Sequence, residues 1–240
     1  IITVDCGITS FEAISSANSS GIDVIVTDHH EPVRYSDAPA FQCKLPDALA
    51  IVNPKIIHPL IPYLSNLSGA GVAFKLIQAL LGGVDEMHEF FDLAAIGTGA
   101  DVVPLVDDNR IIMKKGLEQI KAGSRIGIRA LKNAAGVKSD FFKTSFLYYI
   151  LIPRINAAGR IASAEDVVKI LLTDSEDEAG ELARRLHDLN AKRQEIEEVV
   201  YRDAREMLKK SEVPDREAGT KGAIVLASEG WHPGVVGIVA

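Results

Sequence analysis

The chain has 240 residues, 47% of them apolar, with two cysteines and a formal net charge of −7. That length suits one large domain, or one domain with part of another, and the apolar content is ample for a core. Cys6 and Cys43 make no disulfide framework, no apolar run approaches the ~20 residues of a membrane span and no signal peptide is visible, so a secreted disulfide module and a membrane protein are excluded and a reducing, cytoplasmic setting is expected.

Ile1-Ile2-Thr3-Val4 is a short β-prone run that stops at a carboxylate, Asp5, followed by Cys6-Gly7. Ser10 to Ser20 reads as a helix. Val24-Ile25-Val26-Thr27 is a second apolar strand, and it ends abruptly at Asp28-His29-His30-Glu31-Pro32. Strand, helix, strand in about 28 residues is a βαβ unit, whose right-handed crossover brings both strand ends to one edge of the sheet. Open α/β sheets carry their chemistry at that edge. Asp5 and the histidines are therefore expected to be neighbours. Carboxylate oxygen and imidazole nitrogen together suit a divalent ion such as Mn²⁺ or Mg²⁺, which makes Asp28, His29 and His30 a candidate metal centre. The competing reading is a surface turn or a helix cap, because adjacent side chains point to opposite sides of an extended chain.

Residues 31–47, with Pro32, Pro39 and Pro46, read as a loop, and Ala48 to Pro54 as a third strand ended by Asn-Pro. His58-Pro59-Leu60-Ile61-Pro62 continues no regular element. Ser68-Gly69-Ala70-Gly71 opens a helix to about Leu81, with Val72, Leu76, Ala79 and Leu80 on one face. Its small residues serve either tight helix packing or an anion at the helix start. Asp92 to Leu105 reads as an apolar helix broken by glycines, with Asp101 on the tight loop that follows, as a third candidate carboxylate or a simple cap. Asp107 or Asp108 is expected to cap a helix with Ile111, Ile112, Leu117 and Ile120 inward, and a short helix covers Arg125 to Ala135. Phe141 to Ile152 places Phe142, Phe146, Tyr149 and Ile150 at helical spacing. Such aromatics serve a core or stack on bases.

Pro153 to Ile161 reads as a loop whose small residues let another surface come close, with Arg154 and Arg160 bracketing Asn156. Guanidinium forks match phosphate oxygens, and the alternative is an Arg paired with a neighbouring acid. Ser163 to Asp166 starts a helix carrying Val167, Val168, Ile170 and Leu171. From Ser175 to about Lys210 an apolar stripe (Leu182, Leu186, Leu189, Ile196, Val200, Ala204, Met207) marks one long amphipathic helix with a solvated charged face. Ser211 to Gly222 reads as a charged linker, Ala223 to Ala227 as a strand, and Val235 onward as a helix. Residues 174–217 hold nine basic against fourteen acidic side chains, so five of the seven excess negative charges lie there and the remainder is near neutral. A nucleic-acid path needs only local positive charge, for which Lys138, Lys143, Arg154 and Arg160 are candidates.

Three segments in this order, VDCG from Val4, TDHH from Thr27 and GTGADVVPL from Gly97, resemble the DHH phosphoesterase superfamily. Leu67 to Ala73, Pro153 to Arg160 and Gly230 to Val239 narrow the resemblance to its RecJ group of single-strand DNA exonucleases, over essentially the whole chain. The resemblance implies an α/β fold: a parallel-sheet DHH domain with many helices over residues 1–174, a long connector helix over 175–212, and the start of a second, DHHA1-like α/β lobe over 213–240. It also implies an earlier strand with an Asp-x-Asp pair of metal ligands. The chain begins too late to contain that strand, so it is expected to be an internal fragment, inactive alone.

The implied activity is two-metal, 5′-to-3′ hydrolysis of single-stranded DNA to mononucleotides, in repair and recombination. Asp5, Asp28, His29, His30 and Asp101 would form the catalytic set, with Asp5, His29 and Asp101 as ligands of Mn²⁺ or Mg²⁺ and Asp28 orienting a histidine. His30, Arg154, Asn156, Arg160 and His232 would contact the substrate, with a structural His232 beside Trp231 as the alternative. A monomer working with helicases and single-strand-binding protein fits the group. Two rivals are a DHH phosphodiesterase acting on short oligonucleotides or cyclic dinucleotides, and a non-catalytic replication scaffold of the same fold.

Overall fold

The structure is a computed structural model and describes residues 1–35, 43–56, 66–83, 85–137, 144–210 and 223–240, apart from the side chains at 85 and 86. Its architecture is α/β, with a parallel sheet and many helices, as expected. Ile1–Ser124 with Asp140–Tyr148 forms one compact unit, and Arg125–Ser139 with Tyr149–Ala240 another. The expectations at Lys138, Phe142, Lys143, the prolines at 59 and 62, and the linker at 211–222 fall outside the described residues.

In the first unit, β1 (Ile2–Val4), β2 (Ile25–Thr27) and β5 (Ala50–Val52) form a parallel sheet in the order β1-β2-β5. The register pairs Val4 with Thr27 and Thr27 with Val52, so all three strands end level. Helix α1 (Phe11–Ser19) supplies the crossover, and its Ile14 is buried with Val24 and Val26 against the sheet. Burial of each such side chain contributes about 1.5–3 kcal/mol. Among the described residues of the stretch expected to be a loop, 31–47, two short strands form. Val33–Arg34 (β3) pairs antiparallel with Cys43–Lys44 (β4), because two-residue strands need little periodic signal to form.

Helix α2 (Gly69–Leu81) buries Gly69, Gly71, Val72 and Phe74. The face expected from spacing is only partly right, since Leu80 is 73% exposed. Phe74 meets Phe91 with ring centroids 4.9 Å apart, and this contact sets the inward face. Helix α3 (Phe91–Ala100) runs unbroken through Gly97 and Gly99, with Asp101 as its C-cap. Gly97 serves contact rather than breakage. A Cβ on Gly97 would lie 2.3 Å from that of Ala70, and one on Gly116 would lie 2.2 Å from that of Ala95 and 2.3 Å from the Phe91 carbonyl oxygen. Gly116 thus turns α4 (Asp107–Ala122) so that Asn109, Ile112, Met113 and Ile120 are buried, while Ile111, expected inward, is 51% exposed. Asp107 and Asp108 sit in the first turn and Val106 is the N-cap, so neither acid caps through its side chain; both still favour the positive helix start.

In the second unit the expected loop over 153–161 is helical. Helix α6 (Thr144–Phe146), which belongs to the first unit, leads into a π-helical turn (Leu147–Leu151) and then α7 (Ile152–Ile161), with Pro153 in the first turn. Proline there loses no helical hydrogen bond and presets φ, and the two alanines that suggested close approach are strong helix formers. The π turn shifts the side-chain register. Phe146 is 7% exposed, as a core aromatic should be, whereas Tyr149 is 80% exposed. Helices α5 (Ile126–Ala134) and α8 (Glu165–Leu172) meet so closely that a Cβ on Gly127 would lie 1.7 Å from the Ile170 carbonyl oxygen.

Helix α9 (Glu176–Lys210) extends about 50 Å and packs against α5, α7, α8 and α10. Leu182, Leu186 and Val200 of the expected stripe are buried, joined by Ala179, Ala183 and Asn190. Residues 223–227, expected to be a strand, pair with no strand among the described residues. Helix α10 (Pro233–Val239) starts two residues before Val235, with His232 as N-cap. No described helix is long and apolar enough to cross a membrane.

Since the helix contacts at Gly116 and Gly127 abut backbone that cannot rotate away, Gly116→Ala and Gly127→Ala should each destabilise the protein by about 1–3 kcal/mol. Chemical denaturation would show it, and wild-type midpoints in both variants would refute the close packing.

Candidate metal centre

The level strand ends of β1 and β2 carry the chemistry. Asp5 follows β1 directly and its N–H donates to the Thr27 carbonyl at 3.0 Å, which extends the parallel ladder by one step. Its φ is +61°, a left-handed conformation uncommon for residues other than glycine, though aspartate tolerates it better than most. Gly7, at φ +112°, completes the tight exit, and the Thr3 hydroxyl donates to the Cys6 carbonyl at 2.7 Å. The Asp5 carboxylate lies against the start of α2. A Cβ on Gly69 would fall 2.0 Å from Asp5 Oδ1, so only glycine leaves room for it. Among the two readings of the Ser68–Gly71 stretch, close packing is the one the structure displays, and what it packs on is the Asp5 side chain.

Asp28 ends β2 pointing inward and is 1% exposed. Its Oδ2 accepts from the Ile8 N–H at 3.0 Å, and its Oδ1 accepts from the His29 N–H (2.8 Å), the His30 N–H (3.2 Å) and His30 Nδ1–H (2.7 Å). Burial alone would raise its pKa, but the donors from Ile8, His30 and His29 together outweigh burial and hold the carboxyl below the usual carboxylate range. Drawing both backbone N–H groups onto one oxygen turns the chain immediately after Thr27. The adjacent histidines therefore do not diverge as in a strand: their ring centroids are 4.6 Å apart. The hydrogen bond to Asp28 also raises the His30 pKa.

His29 is the centre of the cluster, with its side chain only 12% exposed. Its Nε2 lies 3.1 Å from Asp5 Oδ1 and its Nδ1 3.4 Å from Asp101 Oδ2. Asp101 arrives from the C-cap of α3, and burial, with the like charge of Asp5 adding to it, pushes its carboxyl above the ordinary range despite the opposing His29 and His30. Ligand atoms of Asp5, His29 and His30 all lie within 4.8 Å of one another. Two imidazoles and one carboxylate, with a second carboxylate on the far nitrogen of His29, make a mixed nitrogen and oxygen donor set that suits a divalent first-row ion. The residues present fit a divalent metal.

All five residues expected in the catalytic set lie in this one cluster. Of the expected substrate contacts, His30 lies in this cluster and the others lie in the second unit. Arg154 is half-buried, which pulls its pKa down. Its Nε and Nη2 point at His187 Nδ1 (3.3 and 3.2 Å), and its Nη1 donates to the Ile150 carbonyl at 2.7 Å. Arg160 Nη1 donates to the Gly234 carbonyl at 3.2 Å, while His232 Nδ1 accepts from the Gly234 N–H at 3.1 Å. Arg160 and His232 thus meet around Gly234. Because α7 is a helix rather than a loop, Arg154 and Arg160 do not flank one site. Asn156 is half-buried on the same helix. A pocket of about 690 Å³ along the C-terminal half of α9, lined by Val200, Ala204, Leu208, Ile224, Trp231 and Val236 among others, is mostly apolar and contains none of these residues.

Sequence reasoning did not single out His187, Ile8 or Gly69 for the site. Of these only Gly69 left a signal, in the unusual Ser-Gly-Ala-Gly helix start.

Residues 1–98 match the DHH family, N-terminal domain. The single-stranded-DNA-specific exonuclease RecJ of Bacillus subtilis is 42% identical over 240 residues, which is all of this chain and 28% of that protein. The protein of the same name from Escherichia coli is 41% identical over 255 residues, again all of this chain and 42% of the relative. Among solved structures, RecJ from Thermus thermophilus in complex with Mn²⁺ matches with a TM-score of 0.81 at 40% identity, and the Mg²⁺ complex with 0.70 at 39%; this chain covers 33% and 32% of those chains. The chain thus spans under half the length of the curated relatives it matches; over that span its sequence and fold match those of RecJ proteins, and residues 1–98 carry the N-terminal domain of the DHH family.

Proposed function

We propose that the whole protein is a metal-dependent exonuclease that hydrolyses phosphodiester bonds of single-stranded DNA from the 5′ end to mononucleotides, in DNA repair and recombination. The observation that carries this reading is the carboxylate and imidazole cluster of Asp5, His29, His30 and Asp101 at the level strand ends. That cluster sits in a chain 42% identical to a protein named for single-stranded-DNA-specific exonuclease activity.

In this reading Asp5, His29 and Asp101 hold Mn²⁺ or Mg²⁺, two ions in the complete protein, and RecJ structures with each ion support the choice. The bound ions supply Lewis acidity at the scissile phosphate and a water made nucleophilic at neutral pH. Asp28 holds Nδ1 of His30, which leaves Nε2 of that half-exposed ring to meet a phosphate oxygen. In the second unit Arg154, Asn156, Arg160 and His232 are assigned to the strand: guanidinium groups pair with backbone phosphates without reading sequence. We assign residues 1–174 to the DHH domain, 175–212 to a connecting helix and 213–240 to the opening of a DHHA1-like substrate lobe. The family resemblance further supports a cytoplasmic monomer that works with helicases and single-strand-binding protein.

In the full-length protein, Asp5→Ala or His29→Ala should reduce release of 5′ mononucleotides from single-stranded DNA to background while circular dichroism stays that of the wild type. Near-normal turnover in either would sink the ligand assignment. Chelation with EDTA should abolish activity, and added Mn²⁺ should restore it; activity that persists in metal-free buffer would exclude the mechanism. Loss of a phosphate contact in Arg160→Ala should raise KM and lower the slope of log KM against log salt by about 0.7. An unchanged slope would remove Arg160 from the substrate path.

A further inference from the structure

We propose that Asn53 is a positioning residue for the metal centre, because its buried amide holds the carbonyl side of the His29-His30 turn while the Asp28 carboxylate holds the N–H side. Asn53 immediately follows β5 and is 1% exposed. Its Nδ2 donates to the His30 carbonyl at 3.0 Å, and its Oδ1 accepts from the Lys55 N–H at 2.8 Å. Both ends of the amide are used, and the partners fix its orientation, since one is an acceptor and the other a donor. Sequence alone gave this residue the task of ending a strand.

The turn is thereby held from two strands. On the β2 side, Asp28 gathers the N–H groups of His29 and His30 and the Nδ1–H of His30. On the β5 side, Asn53 donates to the His30 carbonyl, an acceptor that a carboxylate cannot bond, and the Asp28 N–H donates to the Val52 carbonyl at 3.0 Å to keep the two strand ends level. Lys55 adds an outer tie, its ammonium 3.4 Å from Oε1 of Glu31, the residue after His30. A side chain outside the ligand set that orients ligands in this way typically controls metal affinity or activity by about 10–100-fold. Alanine removes both bonds. Aspartate keeps the shape and the bond to Lys55 but sets a carboxylate oxygen against the His30 carbonyl.

This inference rests on the reading of Asp5, His29 and Asp101 as metal ligands, and one set of Mn²⁺ titrations of the full-length protein by calorimetry separates the two. Asn53→Ala and Asn53→Asp should bind Mn²⁺ about 10–100-fold more weakly than wild type, with kcat on single-stranded DNA low at limiting Mn²⁺ and largely recovered at saturating Mn²⁺. Asn18→Ala is the control for a merely structural loss: it removes an amide-to-carbonyl bond of the same kind, from Asn18 Nδ2 to the Asp47 carbonyl at 2.6 Å, elsewhere in the same unit. Its Mn²⁺ affinity should be that of wild type. If Asn53→Ala fails to fold, Asn53→Ser, which retains a short donor, gives the folded comparison. Folded Asn53 variants with Mn²⁺ affinity within about twofold of wild type would overturn the inference while the ligand reading stands, provided Asp5→Asn and His29→Ala lose binding. If those two also bind normally, the ligand reading fails and takes the inference with it.

Discussion

A single buried carboxylate organises the site. Asp28 accepts four hydrogen bonds, from three backbone N–H groups and one imidazole, and is only 1% exposed. A charge in that position is tolerable only because every donor is aimed at it. Through Ile8 it ties the exit of β1 to the exit of β2, and through the two histidine N–H groups it bends the chain at the point where a strand would otherwise continue. The proximity of Asp5 and His29 follows from that bend together with the level register of the sheet.

Much of this arrangement was legible in the residues. Apolar runs ending at Asp5 and at Asp28, with a helix-length segment between, are sufficient to place two carboxylates on one edge of a parallel sheet. The direction of the histidine rings was not legible, because alternation across a strand is the default and only the hydrogen-bonding of Asp28 overrides it. The 153–161 segment was misread for a related reason. Proline, alanine and glycine together suggest a loop, yet proline in a first turn favours a helix, and the helix separates Arg154 from Arg160. Inward faces of α2 and α4 were shifted from their expected positions by Phe74 and Gly116, whose effect depends on what lies opposite and therefore cannot be seen in spacing alone.

Small residues recur wherever the first unit is tightest. Gly69 admits the Asp5 carboxylate, Gly97 admits Ala70, and Gly116 admits α3. The first of these contacts serves the Asp5 carboxylate directly, the third packs α4 on α3, and the second joins α2 to α3, so that the helix carrying Asp101 at its end is set by packing. Buried hydroxyls reinforce the same pair of helices: Ser68 Oγ caps α2 and lies 3.2 Å from Thr98 Oγ1. A rigid apolar and small-residue framework thus supports a site whose own groups are charged and mutually repelling.

The left-handed backbone at Asp5 gives the fold an evolutionary bias. A side chain held at φ +61° stores about 1–3 kcal/mol, which glycine at the same position would release. Replacing Asp5 by glycine would therefore raise stability rather than lower it. On the proposed assignment of Asp5 to the metal, a copy of the gene freed from selection for turnover would gain thermal robustness by exchanging this aspartate for glycine, whereas selection for turnover holds the aspartate in place.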